Sequence, residues 1–233
     1  MSSMFCNQCQ EALNNYACEK SGVCGREPVL SNLMDILVSV CKGVSYLAQK
    51  VEKDRYEKKK ADVFLLDSLF STITNVNFDE DEIFKKIENG IILMEDLRKY
   101  LKVEWSSKLP PECLIEFHRD KSKMISEHNT LKSRIENEDI KSLKDIILYG
   151  LKGMAAYAYH SYILGKYDYE LMGFMHSVMS SLLTENDLNN LLSLVMKTGE
   201  YGVRVMQMLD SANTERFGHP VPTDVYTGTK KGP

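Results

Sequence analysis

Apolar positions recur at helical intervals over nearly the whole of this chain. From Leu33 they fall at Ile36, Leu37, Val40, Val44, Leu47 and Val51, the single stripe of a helix that buries one face. Pro28 precedes the stripe and Ser31 and Asn32 are placed to cap it, so a first helix is predicted over Ser31 to Glu52. Val63, Leu65, Leu66, Leu69, Phe70 and Ile73 mark a second within Ala61 to Thr74. Asn77 or Asp79 then caps a third, whose stripe is Ile83, Ile87, Ile91, Met94, Leu97 and Leu101. The acidic run Asp79-Glu80-Asp81-Glu82 at that start reads as complementing the helix dipole rather than as a cation site. Three helices with short connections make a small bundle.

The pattern breaks after Val103. Trp105, Pro110-Pro111, Cys113 and the polar run after Phe117 read as a connection, with a short helix near Asp120 to His128. Periodicity then resumes in the earlier register. Leu33-x-Asp35-Ile36 matches Leu143-x-Asp145-Ile146 and Lys42-Gly43 matches Lys152-Gly153 at an offset of 110 positions. At the same offset Phe64 meets Phe174, Ser71 meets Ser181 and Thr74 meets Thr184, so the register persists into the second helix. A duplicated three-helix unit follows, the second copy running over Ile140 to Lys166, Tyr169 to Leu183 and Glu185 to Ala212. Gly43 and Gly153 sit mid-helix, where glycine costs about 1 kcal/mol relative to alanine. Close helix approach offsets that cost, or the glycine is simply tolerated. Beyond Leu209, the glycines and prolines around Phe217-Gly218-His219-Pro220 end the last helix and leave an extended tail.

The expected fold is therefore all-α, two tandem three-helix bundles behind a cysteine-rich loop. The divisions are 1–30 for the loop, 31–102 for the first bundle, 103–138 for the connection, 139–213 for the second bundle and 214–233 for the tail.

Composition narrows the function classes. In 233 residues, 43% are hydrophobic and 27% charged, as in an ordinary globular protein. A net charge of -4 argues against a nucleic-acid surface. The basic stretch Lys50 to Lys60 is interrupted by Glu52, Asp54 and Glu57 and reads as a solvated turn. No signal peptide pattern opens the chain and no apolar stretch approaches bilayer length, so neither membrane nor nucleic acid is an expected partner and the protein reads as cytoplasmic. Thiols stay reduced there. His118 and His128 lie in polar surroundings and are expected at the surface; His160 belongs to an aromatic face with Tyr157, Tyr159 and Tyr162; His176 reads as a satisfied core histidine and His219 as a turn residue. No Ser-His-Asp set is assignable from the sequence, and no phosphate-cradling glycine loop is present.

The cysteines change the picture most. Cys6-Asn7-Gln8-Cys9, Cys18 and Cys24 form a C-x2-C-x8-C-x5-C run in a mostly polar segment that no hydrophobic core explains. Zinc, an iron-sulfur cluster or two disulfides remain open. A four-cysteine zinc site usually pairs two C-x2-C knuckles, whereas the second pair here is C-x5-C with Gly22 and Gly25 around Cys24. Cluster ligands tolerate wider spacing, and glycines let backbone N–H groups approach sulfide, so the spacing favours a cluster over zinc, and zinc over disulfides. Cys41, within an apolar helical pattern, is expected to be a buried structural thiol, and Cys113 is left over.

Met4-Phe5-Cys6-Asn7-Gln8-Cys9-Gln10-Glu11, with Cys18 and Gly22-Val23-Cys24-Gly25, resembles the N-terminus of the hybrid cluster proteins, also called prismane proteins or hydroxylamine reductases. The resemblance extends through Thr72-Ile73-Thr74-Asn75-Val76-Asn77, Leu194-Val195-Met196-Lys197, Leu209-Asp210-Ser211-Ala212-Asn213 and Lys231-Gly232-Pro233. It is weakest over Trp105 to Lys123. It implies that Cys6, Cys9, Cys18 and Cys24 ligate a [4Fe-4S] cluster; Asn7 and Gln8, between the first two cysteines, are candidate hydrogen-bond donors beside it. It also implies two later α/β domains holding a hybrid iron-sulfur-oxygen cluster that reduces hydroxylamine or nitric oxide. That cluster's histidine, glutamate and cysteine ligands have no counterpart among the five histidines here, nor in Cys41 or Cys113. The end at Gly232-Pro233 then reads as a boundary or truncation. The implied role is one-electron relay from a donor redox protein to those missing C-terminal domains, with no active site in this segment. The rival from another class is a zinc-binding or redox-sensing helical module.

Overall fold

A computed structural model describes residues 4–51, 58–102, 105, 108–132, 137–225 and 228. Among the described residues the chain forms α-helices and short 3-10 turns and no strand, the all-α class expected. The helices are α1 (Pro28–Lys50), α2 (Lys59–Ser71), α3 (Glu80–Arg98), α4 (Lys121–Lys132), α5 (Glu138–Ile163), α6 (Tyr169–Thr184) and α7 (Leu188–Phe217).

Local chemistry sets their starts. α1 opens at Pro28 rather than Ser31, because proline at the first helical position carries a preset φ and has no N–H to satisfy. Ser31 and Asn32 therefore lie within the helix instead of capping it, and Asn32 Nδ2 donates to the Pro28 carbonyl at 2.9 Å. Glu52, the expected last residue, lies outside the described residues. Side-chain caps open five of the other helices, Asp120 Oδ1 accepting from the Ser122 and Lys123 amides at the start of α4. Asp79 Oδ1 accepts from the Asp81 and Glu82 amides, at 2.9 and 3.1 Å. Asn137, Asp168 and Asp187 do the same for α5, α6 and α7. α7 runs on to Phe217, past Ala212, since Asn213 to Arg216 tolerate helix and the stop comes only at Gly218, with φ +80°.

The helix starts recur at a near-constant spacing. Pro28 and Glu138, Lys59 and Tyr169, and Glu80 and Leu188 open corresponding helices at offsets of 110, 110 and 108 residues. Packing follows the same pseudo-symmetry. α1 lies against α3 and α5 against α7, while the second helix of each unit crosses over, α2 against α5 and α6 against α1. The two units are thus interlocked rather than side by side. Leu33, Ile36, Leu37, Val40 and Leu47 of α1 bury against Ile83, Ile87, Ile91 and Met94 of α3. The second core takes Leu65, Leu66 and Leu69 from α2 and joins them to Ile147, Leu151, Met175 and Met179.

Against the expectation of no apolar stretch near bilayer length, α1 is long and apolar enough by length and composition to span one. Of its most apolar window 78% is buried inside the protein, which is what a core helix packed on α2, α3 and α6 requires. His128 is likewise buried, not surface-exposed: α4 turns Met124 and His128 inward at helical spacing, and Ser39 Oγ meets His128 Nε2 at 2.8 Å. His118 is half-buried and pairs with Glu127 at 2.8 Å.

Candidate metal centre

The loop ahead of α1 is folded on itself by its own backbone. Cys6 N–H donates to the Cys18 carbonyl at 3.1 Å and Met4 N–H to the Glu19 carbonyl at 3.4 Å, laying the first cysteine pair beside the third cysteine. Buried Met4 anchors that end. Between them the chain reverses through a 3-10 turn at Leu13–Asn15, with Asn14 and Asn15 at φ near +56° and +57°, a region asparagine tolerates better than most side chains. A second reversal carries Cys24. Gly25 N–H donates to the Gly22 carbonyl at 2.9 Å and Gly22 N–H to the Arg26 carbonyl at 2.8 Å. Gly25 sits at φ +86°, and a Cβ on Gly22 would lie 3.0 Å from Cys24 Sγ, so both glycines shape the turn as the sequence implied.

All four loop cysteines are free thiols. Cys18 is buried, its Sγ 4.0 Å from the Glu11 carbonyl, and the other three are half-buried. Among the described residues, no group of three or more His, Cys, Asp or Glu side chains converges on one ion-sized point. What the fold does gather around the thiols is positive charge. Arg26 is 1% exposed; its Nη1 lies 3.9 Å from Cys6 Sγ, and its Nη2 donates to the Thr72 and Ile73 carbonyls at the end of α2, at 3.3 and 3.4 Å. Its buried Nε has no hydrogen-bond partner among the described residues.

The second cation is Lys152, 3% exposed in the middle of α5. Its ammonium donates to the Gln8 carbonyl at 3.0 Å and to Gln8 Oε1 at 2.5 Å. Gln8 Nε2 in turn donates to Asp35 Oδ1 of α1. Burial pushes Lys152 down to about 8 against the opposing pull of Asp35, with Arg26 adding to the depression and Cys6 and Cys9 resisting it. Tyr149, one turn earlier, is pushed up to about 12 by burial and by Asp145, Cys9 and Cys6. Cys9 opens on a cleft of about 200 Å³ lined by Gln8, Thr74, Tyr149, Lys152 and Gly153.

The donor set fits an iron-sulfur cluster in its chemistry: soft thiols on one loop, none of them in a disulfide, beside two buried cations that offset thiolate charge. Gln8, expected to help from nearby, instead spends its polar atoms on Asp35 and Lys152. Arg26, Asp35 and Lys152 do not stand out in the sequence as site residues. The available signal was a lysine inside the apolar run Ile146 to Ala158, where a charge is rarely buried unless paired. Away from the loop, Cys41 and Cys113 are fully buried and pushed up to about 12, chiefly by desolvation.

The sequence profile described as the Prismane/CO dehydrogenase family matches residues 4–233. The chain is 42% identical over 243 residues to a hydroxylamine reductase of Kosmotoga olearia, covering 99% of this chain and 43% of that protein. It is 39% identical over 233 residues to the hydroxylamine reductase of Bacteroides fragilis, covering 99% and 42%. For that of Caldanaerobacter subterraneus subsp. tengcongensis the figures are 39% over 237 residues, covering 99% and 43%. The chain thus spans less than half the length of these relatives.

Proposed function

The chain belongs to the Prismane/CO dehydrogenase family, and from that premise we propose that it is the N-terminal electron-transfer portion of a hydroxylamine reductase-type oxidoreductase, with Cys6, Cys9, Cys18 and Cys24 holding a [4Fe-4S] cluster. When bound, such a cluster supplies one-electron transfer. The protein's own part is electrostatic and geometric. Four thiolates bring net negative charge into a half-buried loop, and Arg26 and Lys152 offset it from inside the fold. Gly22 and Gly25 keep the Cys24 turn free of side-chain bulk, and the Cys6 to Cys18 backbone bond sets two ligands side by side.

On this reading a donor redox protein reduces the centre and the electrons pass to a hybrid cluster in the part of the relatives that this chain does not span. Reduction of hydroxylamine to ammonia, or of nitric oxide to nitrous oxide, belongs to that remainder, and the present segment has no active site of its own. The thiols require a reducing compartment, which the cytoplasm provides. The observation that carries the reading is the pairing of one four-thiol loop with two buried cations.

Iron and acid-labile sulfide analysis on anaerobically prepared protein tests it. About four iron and four sulfide per chain are expected, with broad visible absorption that bleaches on reduction. A colourless protein with one zinc would replace it with the zinc-module reading.

A further inference from the structure

Resting on the cluster reading above, we infer that Lys152 is the positioning residue of the centre. Its ammonium latches the thiol loop onto the helical scaffold and, from the same position, supplies a positive charge that eases the centre's reduction.

The latch spans the molecule. Lys152 reaches Gln8 across 144 positions of sequence and holds both its main-chain carbonyl and its side-chain oxygen, so the backbone between Cys6 and Cys9 is fixed from α5. Asp35 of α1 grips the other end of the same glutamine amide. One glutamine is thereby clamped between the first helices of both repeat units. A charged side chain 3% exposed within an apolar helix carries a large desolvation cost, and helix packing alone gives no return for it. A permanent negative partner does, and the loop thiolates with Asp35 provide one.

Latch and charge separate experimentally. In the iron-free chain, Lys152→Met is expected to raise hydrogen exchange across residues 4–27 at least tenfold while the helices keep their protection. In the loaded protein, Lys152→Met is expected to move the midpoint potential to more negative values and Asp35→Asn to more positive ones. A purely structural role moves neither potential in this opposed sense. Should Lys152→Met fail to fold, Gln8→Ala, which alters no helix residue, carries the exchange test. Unchanged loop exchange in the folded variant, or potentials that stay put or shift in the same direction, overturns the inference. If the wild type binds no iron, the functional reading falls, and the exchange measurement still decides the latch.

Discussion

His176 Nε2 lies 2.8 Å from Asp62 Oδ1, both side chains buried, and this contact ties α2 to α6. Nδ1 of the same ring meets Ser45 Oγ at 2.9 Å, and Tyr167 donates its hydroxyl to the other Asp62 oxygen. Serine, histidine and aspartate stand in the order of a hydrolytic triad here, yet Ser45 is fully buried, so the set serves the packing of α1, α2 and α6. Removing the carboxylate strands both its partners. Asp62→Ala is expected to cost about 3–5 kcal/mol, read as a lower urea midpoint at unchanged m-value. A loss under about 1 kcal/mol would show that the network is dispensable.

The mid-helix glycines Gly43 and Gly153 should answer oppositely to alanine. A Cβ on Gly43 would lie 2.6 Å from the Glu112 carbonyl oxygen, which is backbone and cannot swing away, and 2.6 Å from Met94 Sδ. Gly43→Ala is expected to destabilise by about 1–3 kcal/mol through overpacking. Around Gly153 nothing lies within 4 Å of such a Cβ, so Gly153→Ala is expected to gain up to ~1 kcal/mol of helix propensity. Thermal melts of the two variants check the opposite signs.

Cys41 and Cys113 give a pH dependence. Both are pushed up to about 12 from 9.0, mainly by desolvation. Below pH 9 folded and unfolded chains both keep these protons and neither thiol affects stability. Above it the unfolded chain releases them and the folded chain does not, so the unfolded state binds fewer protons and stability falls, by about 1.4 kcal/mol per pH unit for each thiol. The decline should level off near 12. Melting temperature should therefore drop between pH 9 and 11, and Cys41→Ala should flatten part of the drop. At neutral pH both thiols should stay unreactive to a disulfide reagent until the chain is unfolded.

Much of this was written in the chain. The stripe from Leu33 to Leu47 and the periodicity that resumes at Leu143 marked helix positions and the all-α class, because periodicity records which face of a helix is buried. It does not record what covers that face. Leu65, Leu66 and Leu69 read equally well as packing within their own unit, and only the fold shows them meeting Ile147 and Met175 of the other. The four loop cysteines stood out by their spacing as a candidate site. Arg26 and Lys152 were not, since a charge is taken by default for the solvent side, and the partners that make their burial tolerable are 46 and 144 residues away. His128 was misplaced for the same reason: its partner Ser39 is 89 positions distant.

The most direct test of the central claim is native mass spectrometry of the anaerobically prepared chain beside its Cys9→Ser variant. The account predicts a single added mass of four iron and four sulfide on the wild-type chain, lost or much reduced in Cys9→Ser while the helical circular dichroism of both stays the same. A wild-type chain carrying one zinc ion, or an iron-sulfur mass that Cys9→Ser leaves untouched, would contradict it.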